Sequence, residues 1–423
     1  MAGRGDAGSI EIKGANMKRL LVSLFSLALS LSGCGGGGGD AGSFSNGGNG
    51  GSTTSNSVAM IVDSGPVGAT GQLNLPYVTV NVCVPGTNTC TAIDHVLVDT
   101  GSSGLRVLAS TLQNALPTQS VGSRQVMECA QFADGFTWGA VSAADVKIAG
   151  KTASALPIQV IADGALPYPV PAACSSTGSN ESSLAALGAK GILGVGLSSK
   201  DCSNCSVVSS NGLYYLCSGQ TCQQGAVPLA QEVTNPVTAF SGDNNGVLLQ
   251  LPSIDNYGAP SAQGTLTFGI ATQSNNAIPS TAKAYPVSSD GFTITTVYNG
   301  QSYPGFLDSG SNILYFPNDG SVATCSVGGS TWYCPNVSSP QTQSLSAQVS
   351  ASNGSSSTIN FKLINASILN SSNYAAFPSL AAPMTGTFAG YFDWGLPFFY
   401  GRSVFIGFAG SSNPQGSGAM YIF

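Results

Sequence analysis

Two short runs carry the residues of this chain best suited to chemistry, Asp99-Thr100-Gly101-Ser102 and Asp308-Ser309-Gly310-Ser311. Each ends an apolar run, Val96-Leu97-Val98 in the first and Phe306-Leu307 in the second, and each is followed at one offset by leucine, Leu105 and Leu314. An apolar strand that ends in a carboxylate and turns at glycine delivers that carboxylate to a fixed place. Two such strands in two related halves bring the carboxylates face to face. Acids so placed share a proton, activate water and polarise a carbonyl, which is the chemistry of hydrolysis by an aspartate pair. Taken singly, either triplet is an ordinary strand-ending turn, because short polar side chains bond their own backbone and glycine accepts positive φ.

The elements around the triplets repeat as well. Ile192-Leu193-Gly194-Val195-Gly196 places Gly194 95 residues after Asp99. Phe392-Asp393-Trp394-Gly395-Leu396 places Gly395 87 residues after Asp308. The order of apolar strand, Asp-x-Gly, long insert, then bulky residue and glycine therefore occurs once per half, the halves being 209 residues apart. An internal repeat of this kind organises the whole chain.

On these motifs the chain resembles the pepsin-type aspartic peptidases, and more closely the uncharacterised pepsin-like lipoproteins of bacteria. Gly191–Gly196 resembles the N-lobe hydrophobic-hydrophobic-Gly loop of that family. Gly395-Leu396-Pro397-Phe398-Phe399 with Ser403-Val404-Phe405 resembles the C-lobe loop more loosely, with Asp393 where an apolar residue is usual. Gly246–Leu251 and Gly264–Gly269 resemble the strand pair that closes the N-lobe. The resemblance runs from about Val58 to Phe423. It implies a mainly β, two-lobed pepsin-like architecture with the cleft between lobes, the N-lobe over 58–272 and the C-lobe over 273–423.

The resemblance also implies roles. Asp99 and Asp308 are the catalytic pair; Ser102 and Ser311 hydrogen-bond their outer carboxylate oxygens. Thr100 and Ser309 lock the two strands across the lobe interface, and Gly101 and Gly310 leave room for the backbone. The substrate is polypeptide, hydrolysed at acidic to mildly acidic pH with no cofactor and no metal. The family's flap hairpin carries a Tyr paired with a Trp a few residues after the first Asp. Here the candidate flap is Cys129–Gly135, ahead of Gly139 and the strand Val146-Lys147-Ile148. Phe132, beside Gln131, occupies the Tyr position, and Arg106 sits where the Trp would be. Both partners are changed, which predicts a flap organised differently and altered substrate preference or a weaker rate. The bland alternative makes Phe132 a core residue of its hairpin.

Composition agrees with a β fold. The chain has 423 residues, 55 of them glycine, with only 8% charged. Tyr77–Val82 and Phe292–Val297 alternate as half-exposed strands do, and no long helical period appears. A chain this long can hold two domains with real cores.

The first residues read as an address. Met17-Lys18-Arg19 opens a basic region, Leu20–Leu31 is apolar but too short to span a bilayer, and Leu31-Ser32-Gly33-Cys34 resembles a lipobox. Asp6 and Glu11 do not suit a leader, so Met17 is the expected start. This predicts an upstream extension plus a lipoprotein leader over 1–33, lipidation at Cys34 and a Gly/Ser/Asn tether over 34–57; a plain signal peptide with an incidental Cys is the alternative. Gly35 after the cysteine points to the outer membrane. The tether holds no Lys or Arg, so no basic inhibitory prosegment is expected.

Ten cysteines remain beyond Cys34: Cys83, Cys90, Cys129, Cys174, Cys202, Cys205, Cys217, Cys222, Cys325 and Cys334. An even set in an exported chain reads as disulfides. Cys83–Cys90 and Cys325–Cys334 are expected as hairpin staples and Cys129–Cys174 as a longer bridge. Zinc is the alternative for Cys202-x-x-Cys205 and Cys217-x4-Cys222. From Cys34 onward the chain has nine basic and 17 acidic residues. No basic stripe offers itself to nucleic acid or anionic lipid, so the lipid is the expected membrane link, and a monomer is expected.

Three other features carry little. His95, the single histidine, sits on the strand before Asp99 without a Ser or Cys triad order and reads as a face or core residue. Trp394 reads as core, and Gly35–Gly39 as linker with no phosphate-loop lysine. Two functional classes stay open. One is an exported, lipid-anchored aspartic endopeptidase; the other is a catalytically weak or inactive pepsin-like binding lipoprotein of the cell envelope. A purely structural surface protein is a weaker third.

Overall fold

The computed structural model describes residues 55–337 and 341–423. The leader, Cys34 and nearly all of the tether lie outside the described residues. What is described is mainly β, its helices being short turns such as Ala172–Ser175 and Leu184–Leu187. The alternation of small, β-branched and aromatic residues explains this: side chains at every second position fill one face of a pleated surface. None of the described helices is long and apolar enough to cross a membrane.

Each half builds the same local motif around its triplet. In the first, strand Cys90–Asp99 runs parallel to Gly191–Val195, with Asp99 opposite Gly194. Gly191–Val195 also pairs antiparallel with Ser103–Leu108, the strand leaving the triplet. In the second, Gln301–Leu307 runs parallel to Phe392–Trp394, which pairs antiparallel with Leu314–Phe316. The incoming and outgoing strands of each triplet are thus held apart by a third strand, and the Asp-x-Gly turn projects between them. Gly395 is obligatory for that packing, since a Cβ there would lie 2.0 Å from the Ile313 carbonyl oxygen.

Six antiparallel strands of a 17-stranded sheet join the halves. Their order is Ser57–Val62, Ala262–Phe268, Gly246–Gln250, Ser403–Gly407, Met420–Ile422, Ala284–Pro286. The strand pair expected to close the N-lobe does pair with itself, and its Gly246–Gln250 member also carries the seam, with Leu248 opposite Phe405. The main core is continuous across it, drawing Val98, Leu193 and Leu249 from one half and Leu307, Trp394 and Ile406 from the other. A separate seven-stranded sheet completes the second half, from Ser356–Leu363 to Ala381–Pro383.

Local detail departs from the sequence reading in two places. The strand expected over Phe292–Val297 begins at Ile294, because the Asp290 carboxylate accepts the Phe292 and Thr293 amides, both at 2.9 Å, and holds them in a turn. The strand expected as Val146–Ile148 is the end of a 14-residue strand, Gly135–Ile148.

All ten described cysteines are in disulfides: Cys83–Cys90, Cys129–Cys174, Cys202–Cys205, Cys217–Cys222 and Cys325–Cys334. Cys83 faces Cys90, and Cys217 faces Cys222, across tight antiparallel hairpins. The four cysteines for which zinc was the alternative are therefore bonded in pairs.

Candidate active site

The two triplets meet at the centre of the molecule. Asp99 accepts the Gly101 amide at 2.8 Å on Oδ1 and the Ser102 hydroxyl at 2.5 Å on Oδ2. Asp308 repeats the pattern, accepting the Gly310 amide at 2.8 Å on Oδ1 and the Ser311 hydroxyl at 2.9 Å on Oδ2. A Cβ on Gly101 would lie 2.7 Å from Asp308 Cγ, and one on Gly310 would lie 2.6 Å from Asp99 Oδ1. Each glycine is therefore the floor on which the opposite carboxyl rests. Only a residue without a side chain lets the two acids approach.

Thr100 and Ser309 form the joint beneath them. Both are fully buried. The Thr100 amide donates to Ser309 Oγ at 3.1 Å and the Ser309 amide to Thr100 Oγ1 at 2.9 Å. The Thr100 hydroxyl donates to the Leu307 carbonyl at 2.9 Å and the Ser309 hydroxyl to the Val98 carbonyl at 2.7 Å. Four bonds related by a pseudo-twofold axis fix the spacing of the carboxyls.

The electrostatics follow from this closeness. Asp99 is buried and Asp308 keeps a partial opening to solvent. Desolvation, then the charge of Asp99 and a hydrogen bond with it, push Asp308 up to about 8. Two carboxyls this close do not both ionise cheaply, so the pair holds one proton over a wide range. One member is then a base and the other an acid within the same site.

The candidate flap is the hairpin of Arg124–Gln131 and Gly135–Ile148, closed by the Phe132 amide donating to the Gly135 carbonyl at 2.7 Å. It is not free-standing. Tyr214–Ser218 pairs along one edge and Ser179–Asn180 along the other. Cys129–Cys174 bonds the hairpin to the insert, and Gln131 donates to the Gly212 carbonyl at 3.1 Å. Phe132 is half-buried against a cluster that includes Tyr77, Leu108 and Ile192. The Arg106 guanidinium lies 5.9 Å from the centre of its ring, within cation–π range. The two positions that differ from the pepsin-type pattern are thus in contact with each other.

Arg106 brings a network that sequence reasoning missed. It is 3% exposed, and its Nη2 meets Glu128 at 2.6 Å and Asp201 at 3.0 Å. Tyr214 donates to Asp201 at 2.7 Å and accepts the Val233 amide at 2.7 Å. Burial, then the charge of Glu128, holds Asp201 well above the usual carboxylate range. The available signal was an arginine inside the apolar run Leu105-Arg106-Val107, which demands a carboxylate partner when buried. Asp393 is the second residue whose importance was not read from sequence; it is fully buried behind Asp308. His95 stands apart, near Asp63 and Asp94. Trp394 is core, its indole donating to Thr296 Oγ1 at 3.1 Å. A cavity of about 220 Å³ beside Phe398 and Arg402 is lined by neither acid of the pair.

This architecture has solved counterparts. An aspartic proteinase from Irpex lacteus superposes with a TM-score of 0.51 over 86% of this chain and 96% of its own, at 18% identity. That likeness establishes the pepsin-like fold. No curated protein matches the sequence. Residues 52–423 match the model of the family described as "Protein of unknown function (DUF3443)", and the chain belongs to that family.

Proposed function

We propose that this protein is an aspartic endopeptidase, hydrolysing peptide bonds with water activated between Asp99 and Asp308. The observation that carries the reading is the symmetric pair itself: two carboxyls in mutual contact, each with a glycine amide and a serine hydroxyl on its oxygens. The ionised partner accepts a proton from water as its oxygen attacks the scissile carbonyl carbon. The protonated partner donates to the carbonyl oxygen, and a neutral tetrahedral diol results. The carboxyl that took the water's proton then gives it to the leaving nitrogen while the other carboxylate takes a proton from a diol hydroxyl; the C–N bond breaks, amine and carboxylic acid leave, and the pair again holds one proton. The leader pattern supports a location in the bacterial cell envelope with an anchor at Cys34; the same reading takes the protein as a monomer acting on polypeptide.

The test is digestion of a proteome-derived peptide mixture by the full chain at several acidic pH values, beside Asp308→Asn. Cleavage that disappears in the variant supports the assignment and reveals the specificity. Absence of cleavage by folded, disulfide-intact protein favours the second reading, a pepsin-like binding lipoprotein. The Arg106–Phe132 contact and the doubly paired hairpin speak for that reading, because they leave the flap little freedom to close over a substrate.

A further inference from the structure

Asp393 is a carboxyl in a place hostile to charge. It lies mid-strand in Phe392–Trp394, opposite Phe306 on one side and Tyr315 on the other. The next residues of that segment grip the Asp308 loop: the Trp394 carbonyl accepts the Asp308 amide at 3.1 Å, and the Leu396 amide donates to the Ser311 carbonyl at 2.8 Å. Asp393 is fully buried, and neither carboxyl oxygen has a hydrogen bond of ordinary geometry. The charged groups acting on it are Asp308 and Asp99, and no cation is among them. Two phenols surround it further out, Tyr421, whose hydroxyl donates to the Phe292 carbonyl at 3.0 Å, and Tyr315, whose hydroxyl donates to Asn312 at 3.0 Å. A buried carboxylate without a cation loses its hydration uncompensated, and burial holds Asp393 well above the usual range.

Counting protons at Ser311 gives this acid a role. A serine hydroxyl has one hydrogen to donate. Ser311 donates it to Asp308 Oδ2, yet the same hydroxyl is close enough to act on Asp393. An ionised Asp393 competes for that hydrogen, whereas a protonated one does not. We propose that Asp393 is a third carboxyl of the site, a positioning residue whose proton leaves the Ser311 hydroxyl to Asp308. Loss of that proton to solvent draws the Ser311 hydrogen away from Asp308 and adds a negative charge behind the pair. The catalytic consequence rests on the peptidase reading; the proton on Asp393 and its coupling to Asp308 do not.

Two measurements on the full chain test this without substrate. The first is denaturant unfolding from pH 3 to 9 for wild type, Asp393→Asn and Asp393→Leu. A proton kept by the folded state and released by the unfolded chain makes wild-type stability fall as pH rises above about 4. Both variants are expected to lose up to one proton from that slope and to gain on wild type between acid and neutral pH. An unchanged slope in a folded variant, or a loss relative to wild type that is confined to neutral pH, overturns the proposal. Leucine guards against failure of asparagine to fold, because it buries no polar atom. The second is ¹³C-carboxyl NMR titration. Asp393 is expected to keep its proton to higher pH than exposed aspartates do, and its later titration is expected to appear as a second step in the Asp308 signal. That step is expected to vanish in Asp393→Asn and to lose part of its amplitude in Ser311→Ala, the remainder being the direct charge of Asp393 on Asp308. Titration of Asp393 together with exposed aspartates, or a step that survives Ser311→Ala intact, overturns it. A protein that shows both signatures and cuts no peptide sinks the peptidase reading alone.

Discussion

Thr100 and Ser309 exchange backbone and side-chain hydrogen bonds across the centre of the molecule, each amide donating to the other's hydroxyl oxygen at 3.1 and 2.9 Å. Each hydroxyl is at once an acceptor from the opposite strand and a donor to it, so one atom replaced leaves two buried groups unsatisfied. Thr100→Val keeps the volume and removes the hydroxyl, stranding the Leu307 carbonyl and the Ser309 amide. Each stranded group costs about 1–3 kcal/mol. A loss of about 2–5 kcal/mol in denaturant unfolding is expected, with a smaller added loss for Ser309→Ala in the Thr100→Val background than alone, since the two share bonds. Full additivity of the two losses contradicts a shared joint.

The acid pair makes a prediction with a definite sign in pH. Asp308 is raised to about 8, so its proton is retained in the folded state and released in the unfolded chain above about 4. Its contribution to stability is therefore neutral at acid pH and becomes unfavourable as pH rises from about 4 toward 8. Asp308→Asn is expected to stabilise the protein at neutral pH while reducing cleavage by at least about 10²–10⁴-fold, the range for loss of a general acid or base. Cleavage by wild type is expected to fall as pH rises through about 8, when the shared proton is lost. Parallel unfolding and cleavage profiles check both; a variant destabilised at pH 7 contradicts the raised value.

Much of this site was legible because its determinants are local. A period-two apolar run ending in Asp-x-Gly states where a carboxyl will stand, and a second copy states that it has a partner. Cys83–Cys90 and Cys325–Cys334 were readable for the same reason, as cysteines one hairpin apart. The missing parts are non-local. Arg106 meets Glu128 and Asp201, 22 and 95 positions away, and no spacing rule links them. The clamp on the flap depends on Tyr214–Ser218, whose cysteine-rich surroundings advertise a staple or a metal site and not an edge strand. The seam between halves pairs Gly246–Gln250 with Ser403–Gly407, and any apolar strand satisfies such a register.

The buried Arg106 network is expected to be stiff and expensive to break. Arg106→Met leaves Glu128 and Asp201 facing each other without a cation, and removing one partner of a buried ion pair costs about 3–5 kcal/mol. Because Asp201 is already raised by burial and by Glu128, the variant is expected to recover part of that loss as pH falls and Asp201 protonates. Chemical unfolding of Arg106→Met at pH 7 and pH 4 measures the difference. A loss of equal size at both pH values assigns Arg106 a packing role beside Phe132 in place of an electrostatic one.

The Cys129–Cys174 bond closes a loop of 45 residues and ties the hairpin to the insert that flanks it. By chain entropy such a closure is worth about 4 kcal/mol. Its removal in Cys129→Ser/Cys174→Ser acts mostly on the unfolded chain, yet it also frees the short parallel pairing of Gly135–Phe136 with Ser179–Asn180, which has only two registered residue pairs. Amide exchange in the double variant is expected to rise at Gly135–Trp138 while staying slow at Val126–Glu128, whose partner strand Tyr214–Ser218 is untouched. If the clamp restrains closure over substrate, peptide cleavage by the variant rises at 25 °C even though the protein melts lower. If exchange accelerates equally along both strands, the disulfide holds the whole hairpin and the flanking strands are passengers.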